Sequence, residues 1–219
     1  MKSGSSHGFG QEPASIRARY KRPFDMAVIA LSGVLLAPLW LFLCVAIPVA
    51  IRLEDGGRVF HAQTRLGRAG SHFEMFKFRT MVEEAEKSTG PVWAAENDSR
   101  VTRVGRILRP LHLDEIPQIL NVLKGDMSLV GPRPERPELA SLIERQQPGF
   151  GRRLRVRPGI AGLAQARRSH YASARQKHAY DNLYIEKMSP LLDLKLLAAC
   201  FLISIGILPN PNSGGEGEP

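Results

Sequence analysis

The stretch Met26–Ile51, MAVIALSGVLLAPLWLFLCVAIPVAI, carries no charged residue over 26 positions. As a helix rising about 1.5 Å per residue it would reach ~39 Å, against ~30 Å of hydrocarbon in a bilayer. It therefore reads as a membrane helix; a buried core helix is the other reading that its length admits. A cleaved signal peptide fits poorly, because mostly polar residues precede the run and no short small-residue cleavage site follows it.

Two details argue against a simple span. Pro38, in the pair Ala37-Pro38, removes a backbone donor mid-run and predicts a break there. Both flanks are also basic: Arg17, Arg19, Lys21 and Arg22 precede the run, and Arg52, Arg58, Arg65 and Arg68 follow it. The positive-inside rule needs an asymmetry, and these flanks offer almost none. A helix that enters, bends at Pro38 and returns to the same face satisfies both.

The whole chain is basic, with 30 Lys and Arg against 21 Asp and Glu, a net +9 and a pI near 10.0. Such a surplus suits nucleic acid, anionic lipid or phosphorylated small molecules, or simply a soluble basic surface. No aromatic-rich binding strand, helix-turn-helix pattern or zinc finger supports nucleic acid. Cys44 and Cys200 both sit in apolar runs without ligand spacing, which argues against structural zinc and a disulfide framework.

Near the other end, Leu191–Leu208 is a second apolar stretch, interrupted by Asp193 and Lys195, too short for a span and better read as an interfacial or packed helix. The Gly-, Ser- and Pro-rich head (1–20) and tail (209–219) read as disordered. His72–Met81, HFEMFKFRTM, reads as a strand, and 82–87 as a short helix. Arg100, Arg103, Arg106 and Arg109 recur at every third position. On a helix they would lie loosely on one side.

The segment Leu111–Glu135, LHLDEIPQILNVLKGDMSLVGPRPE, follows directly. Ile116, Ile119, Leu120 and Leu123 predict an amphipathic helix ended by Gly125. Pro117 is tolerable only in a first turn, so the helix is expected to start near Leu113 or Asp114. That places Asp114 and Glu115 at its N-terminus. Both would serve there as caps. Yet arginines around a helix start also make an anion site, where carboxylates are expected to have depressed pKa values. Ionised carboxylates among such arginines suit a shared divalent metal or attack on phosphorus.

At this point the motifs KRPFD, FKFRTM, NDSRVTRVGRILR, LDEIPQILNVLKGDMSLVGPRPE and RPGIAGLAQ, in that order, resemble the bacterial sugar transferases of the monotopic phosphoglycosyl transferase family, over roughly 21–208. The resemblance implies a single catalytic domain at 21–208 of α+β class, mainly α-helical. It is a small membrane-associated domain, with a re-entrant membrane helix at 26–51 and interfacial amphipathic helices. It implies transfer of a sugar 1-phosphate from a nucleoside diphosphate sugar, usually UDP-linked, to polyprenyl phosphate, with release of UMP, initiating a bacterial surface glycan. It further implies Mg²⁺ as cofactor, membrane lipid as surroundings and the cytoplasmic face of the inner membrane as location; a homodimer stays open. Where family members commonly have Ser before the helix-breaking Pro, this chain has Ala37.

By the same resemblance Asp114 is the nucleophile that forms a covalent sugar-phosphate, and Glu115 supports it; the two are the expected metal ligands. Arg109 and Arg133 are assigned to phosphate, with Arg79 and Arg157 as further phosphate ligands. Lys77 and Arg22 read equally as membrane-surface charges. The alternative is a catalytically silent membrane scaffold of a glycan assembly complex.

Overall fold

A computed structural model of the chain describes residues 16–83, 85, 98–167 and 173–208. The apolar run forms two helices, α1 (Lys21–Leu35) and α2 (Ala37–Asp55), separated at Leu36, whose φ and ψ of −114° and 21° leave the helical region. Pro38 falls in the first turn of α2, where its missing N–H costs least. The Trp40 Nε1 donates to Ser32 Oγ at 3.0 Å across the break. A hydroxyl six positions before Pro38 thus clasps the bend. A second proline, Pro48, stays inside α2 without ending it.

Both ends of the run are tied to one folded body. At the start of α1, Lys21 Nζ donates to Val130 O at 2.6 Å and to Asp193 Oδ2 at 2.7 Å. Arg22 donates to the carbonyls of Val122 and Leu123, and so caps a helix end rather than facing lipid. Asp25 Oδ1 accepts from Ser128 Oγ and Leu129 N, each at 3.1 Å. At the far end Ile47 and Ile51 pack with Phe78 and Leu108. There Glu54 accepts from the N–H groups of Arg103 and Val104, at 2.6 and 3.1 Å. Between these anchors Leu31, Val34, Leu35, Leu41 and Phe42 are exposed. The chain runs out from the body, bends and comes back.

Strands β1 (Phe60–Leu66) and β2 (His72–Phe78) pair antiparallel, from Phe60 opposite Phe78 to Leu66 opposite His72. The predicted strand thus ends at Phe78, and Met81 makes one further bridge to Val101. Phe73 and Met75 face the main core with Val122, Met127, Val130, Tyr184 and Leu196. The short α3 (Arg103–Leu108) is capped by the Thr102 hydroxyl, which accepts from Gly105 N at 2.9 Å.

The amphipathic helix α4 runs Gln118–Lys124 and stops at Gly125, with φ of 92°. It starts later than expected. Leu113–Glu115 is a 3₁₀ turn, and Pro117 caps α4 from outside. The reason is local: Pro117 has no N–H to return to Leu113 O, and that carbonyl instead accepts from Ile116 N at 3.3 Å. Asn121, fully buried, fastens α4 to β2 by accepting from Phe76 N at 3.0 Å and donating to Glu74 O at 2.7 Å.

Strands β3 (Ser128–Val130) and β4 (Gly159–Ala161) pair parallel. Glycines permit the contact beyond them: a Cβ on Gly159 would lie 2.0 Å from Gly131 N, and one on Gly131 would lie 2.5 Å from Arg157 O. Helices α5 (Pro137–Gln146), α6 (Leu163–Arg167), α7 (Ala174–Lys187) and α8 (Pro190–Ser204) complete the mainly helical body. Helix α8 buries Asp193 and Leu196 but exposes Leu191, Leu194 and Phe201, so it is packed on one side and apolar on the other. Residues 1–15 and 209–219, and half of the expected helix at 82–87, lie outside the described residues.

Candidate active site

Four side chains meet where β2 ends, where the 3₁₀ turn crosses it and where the GPRP turn follows β3. Lys77 on β2 places Nζ 2.7 Å from Glu115 Oε1 and 3.6 Å from Asp114 Oδ2. Arg133 straddles the other side of Glu115, with Nη2 2.6 Å from Oε1 and Nη1 3.4 Å from Oε2. This two-point grip needs the guanidinium fork. Arg133 is aimed by its backbone. Its own carbonyl accepts from Arg153 Nη2 at 2.6 Å, and the neighbouring Gly131 N and Pro132 O are bonded to Ala161 O and Gly159 N at 2.9 Å each. The motif RPGIAGLAQ thus acts here as a support for GPRP.

The two carboxylates differ, although both are buried. Lys77 and Arg133 hold the Glu115 carboxyl well below the usual carboxylate range, against the cost of its burial. Asp114 goes the other way. Burial, with the Glu115 charge beside it, pushes its carboxyl up, and Lys77 and Arg133 offset this only partly. The expectation that both would be depressed fails for Asp114, because Glu115 takes the closer share of the cations. The result is one clamped carboxylate and one less compensated one beside it.

His112 was not singled out by sequence reasoning. It precedes the 3₁₀ turn with φ of 53°, left-handed backbone that few non-glycine residues adopt. Its ring lies in the field of Glu115, Arg133, Asp114 and Lys77, with its pKa lowered by burial. Only the positive φ marks it, and that is invisible in sequence.

Arg109 turns its Nε onto Thr80 Oγ1 at 2.9 Å and feels the Asp114 charge. Arg79 is buried further along, paired with Asp55 at the end of α2. Arg157 lies apart from this group. Its Nε donates to Gly125 O at 2.7 Å, and the charges acting on it are Arg68, Arg22 and Asp25. The structure therefore gathers Lys77, Asp114, Glu115 and Arg133, sets Arg109 beside them, and places Arg79 and Arg157 elsewhere.

Among the described residues no group of three or more His, Cys, Asp or Glu is assembled to hold a metal ion. Glu115 would have to release Lys77 or Arg133 to become a ligand. Asp114 keeps coordinating capacity, and Mg²⁺ commonly needs no more than one or two carboxylates plus substrate phosphates and water. The residues fit such a shared ion, not a protein-only cage.

Comparison with known proteins identifies the family. The family described as bacterial sugar transferase matches residues 16–206, and the chain belongs to that family. It is 41% identical over 188 residues to the UDP-N-acetylgalactosamine-undecaprenyl-phosphate N-acetylgalactosaminephosphotransferase of Aeromonas hydrophila, covering 84% of this chain and 43% of the relative. It is 42% identical over 182 residues to the UDP-glucose:undecaprenyl-phosphate glucose-1-phosphate transferase of Caulobacter vibrioides, covering 81% of this chain and 66% of the relative. The exopolysaccharide production protein ExoY of Rhizobium meliloti is 35% identical over 191 residues, with 81% of each chain covered. This chain thus spans less than two thirds of the first two relatives' length.

Proposed function

We propose that the chain transfers a sugar 1-phosphate from a UDP-sugar to polyprenyl phosphate at the cytoplasmic face of the bacterial inner membrane, as the first step of surface glycan assembly. The observation that carries this reading is the asymmetry of the acidic pair: Glu115 is clamped by Lys77 and Arg133, while Asp114, beside it, lacks such a grip. An Asp114 oxygen attacks the β-phosphorus of the donor. The new O–P bond forms as the bond from that phosphorus to the bridging oxygen breaks, and UMP leaves with that oxygen. Polyprenyl phosphate then attacks the same phosphorus, the Asp114–phosphorus bond breaks, and polyprenyl diphosphate sugar is released. A carboxylate suits this exchange, since it needs no base and its acyl phosphate stays reactive. Lys77, Arg109 and Arg133 supply fixed positive charge at the transferring phosphoryl group. Asp114 would help to hold Mg²⁺, and the ion when bound would neutralise phosphate charge.

The break at Leu36, with both ends of the run anchored in one body and the middle apolar and exposed, supports a hairpin that enters and leaves one leaflet. The exposed apolar side of α8 fits the interface. The test is UMP release from UDP-sugars with polyprenyl phosphate and Mg²⁺. Asp114→Asn keeps size and hydrogen bonding but not nucleophilicity, so it should fold, bind membrane and release no UMP. Turnover above a few per cent of the parent would remove Asp114 from the chemistry.

A further inference from the structure

A cleft of about 430 Å³ opens at the C-terminal end of α2, lined by Arg52, Asp55, Gly56, Gly57, Arg58, Arg79 and Glu83. Arg79 is 7% exposed, and its Nε and Nη1 have no hydrogen-bond partner among the described residues. Asp55 takes only Nη2, and the Glu83 carboxylate stands off at 3.7 Å from Nη1. A buried guanidinium with two idle donors is costly to leave so, unless something else accepts from it. Gly57 supports the cavity, because a Cβ there would lie 2.1 Å from Arg79 Nη1. The end of α2 is the negative end of its dipole, so an anion is attracted here only by the arginines, three guanidinium groups against two carboxylates.

The approach to this cleft is apolar. Phe42, Val45, Val49 and Leu53 are all exposed, and their spacing of three or four residues puts them on one face of α2. Arg52 and Gly56 continue that face into the cleft. The stripe covers 11 residue steps, roughly 17 Å at the helical rise. A phosphate at the foot of an apolar stripe describes a single-chain lipid phosphate. The cleft is linked to the acidic pair through the end of β2, since Lys77 contacts Asp114 and Glu115 and Arg79 follows two residues later. Arg79 follows the last residue of the strand, and Thr80 next to it accepts from Arg109 Nε at 2.9 Å.

We propose that this cleft holds the phosphate of the lipid acceptor, with Arg58, Arg52 and the idle donors of Arg79 on its oxygens and the isoprenoid chain along Phe42–Leu53. The assignment rests on the transferase reading for the identity of the lipid, but not for the site. Binding is therefore measured without turnover. The protein in nanodiscs is titrated with a short-chain polyprenyl phosphate, as the parent, as Arg58→Gln and as Arg52→Gln/Arg58→Gln, with inorganic phosphate and phosphatidylglycerol as competitors. Arg58→Gln alters an exposed side chain and should weaken binding about threefold; the double variant should weaken it about tenfold or more. Neither competitor should displace the lipid at equal concentration. Unchanged affinity in both variants overturns the site, and displacement by phosphatidylglycerol assigns the cleft to bulk lipid instead. Absence of UMP release in the parent would defeat the transferase reading yet leave these binding results standing. With turnover, the double variant should raise KM for the acceptor about tenfold while KM for the UDP-sugar stays put; a rise for the donor instead would also overturn the proposal.

Discussion

Replacing Arg133 with Met removes one arm of the clamp while keeping an unbranched stem of similar shape. Glu115, 5% exposed, would keep Lys77 at 2.7 Å and lose both Arg133 contacts. Breaking a buried pair typically costs ~3–5 kcal/mol, because a charge is left uncompensated. Since Lys77 remains, about 2–3 kcal/mol is expected here. At ~2–4 °C per kcal/mol for a chain of this size, the melting temperature should fall by ~4–12 °C, read by tryptophan fluorescence in nanodiscs at pH 7.5. The pH dependence has a definite sign. Glu115 is held below its ordinary 4.5 in the folded protein, so its contribution is present above that pH and is lost as pH falls through the folded value. The deficit of Arg133→Met should therefore be full at neutral pH and shrink below about pH 4.5. In a Glu115→Gln background the same substitution should cost about 1 kcal/mol or less, giving a coupling of ~2 kcal/mol. An equal loss in both backgrounds, or no loss in either, would refute the clamp.

Two further expectations concern the scaffold. Single cysteines at Arg19 and at Arg58, in a background without Cys44 and Cys200, should both be labelled from the cytoplasmic side only; opposite accessibility would make the apolar run a span. Gly159→Ala, whose Cβ would lie 2.0 Å from Gly131 N, should cost ~3 kcal/mol or more and abolish UMP release together, because it displaces the turn that aims Arg133. Full activity in that variant would show that the β3–β4 contact does not position the site.

Much of this arrangement was legible where the signal is local. The charge-free run, the break near Pro38, the start of β2 at His72 and the stop at Gly125 each follow from a few neighbouring residues. The start of α4 was misjudged because the expectation gave Pro117 a place inside the first turn, whereas the chain tightens into i→i+3 bonds one turn earlier. Other features depend on partners distant in sequence. Lys21 reads as a membrane-flanking charge until it meets Asp193, 172 residues away, in the core. The close approach of Gly131 to Gly159 joins two motifs distant in sequence and has no local signal in either. Asp114 and Glu115 look equivalent as letters; only the positions of Lys77 and Arg133 separate them. The placement of Arg157 beside Gly125 is likewise a tertiary fact with no sequence signature.

The central claim is that Asp114 carries the sugar phosphate between two half-reactions. UMP must then appear before the lipid arrives. Rapid quench of the protein with UDP-sugar and Mg²⁺, without polyprenyl phosphate, measures this directly. The account predicts a burst of about one UMP per active site and a sugar-phosphate mass adduct on the peptide containing Asp114. No UMP before polyprenyl phosphate is added, with intersecting double-reciprocal plots in steady state, would contradict it and require attack within a ternary complex.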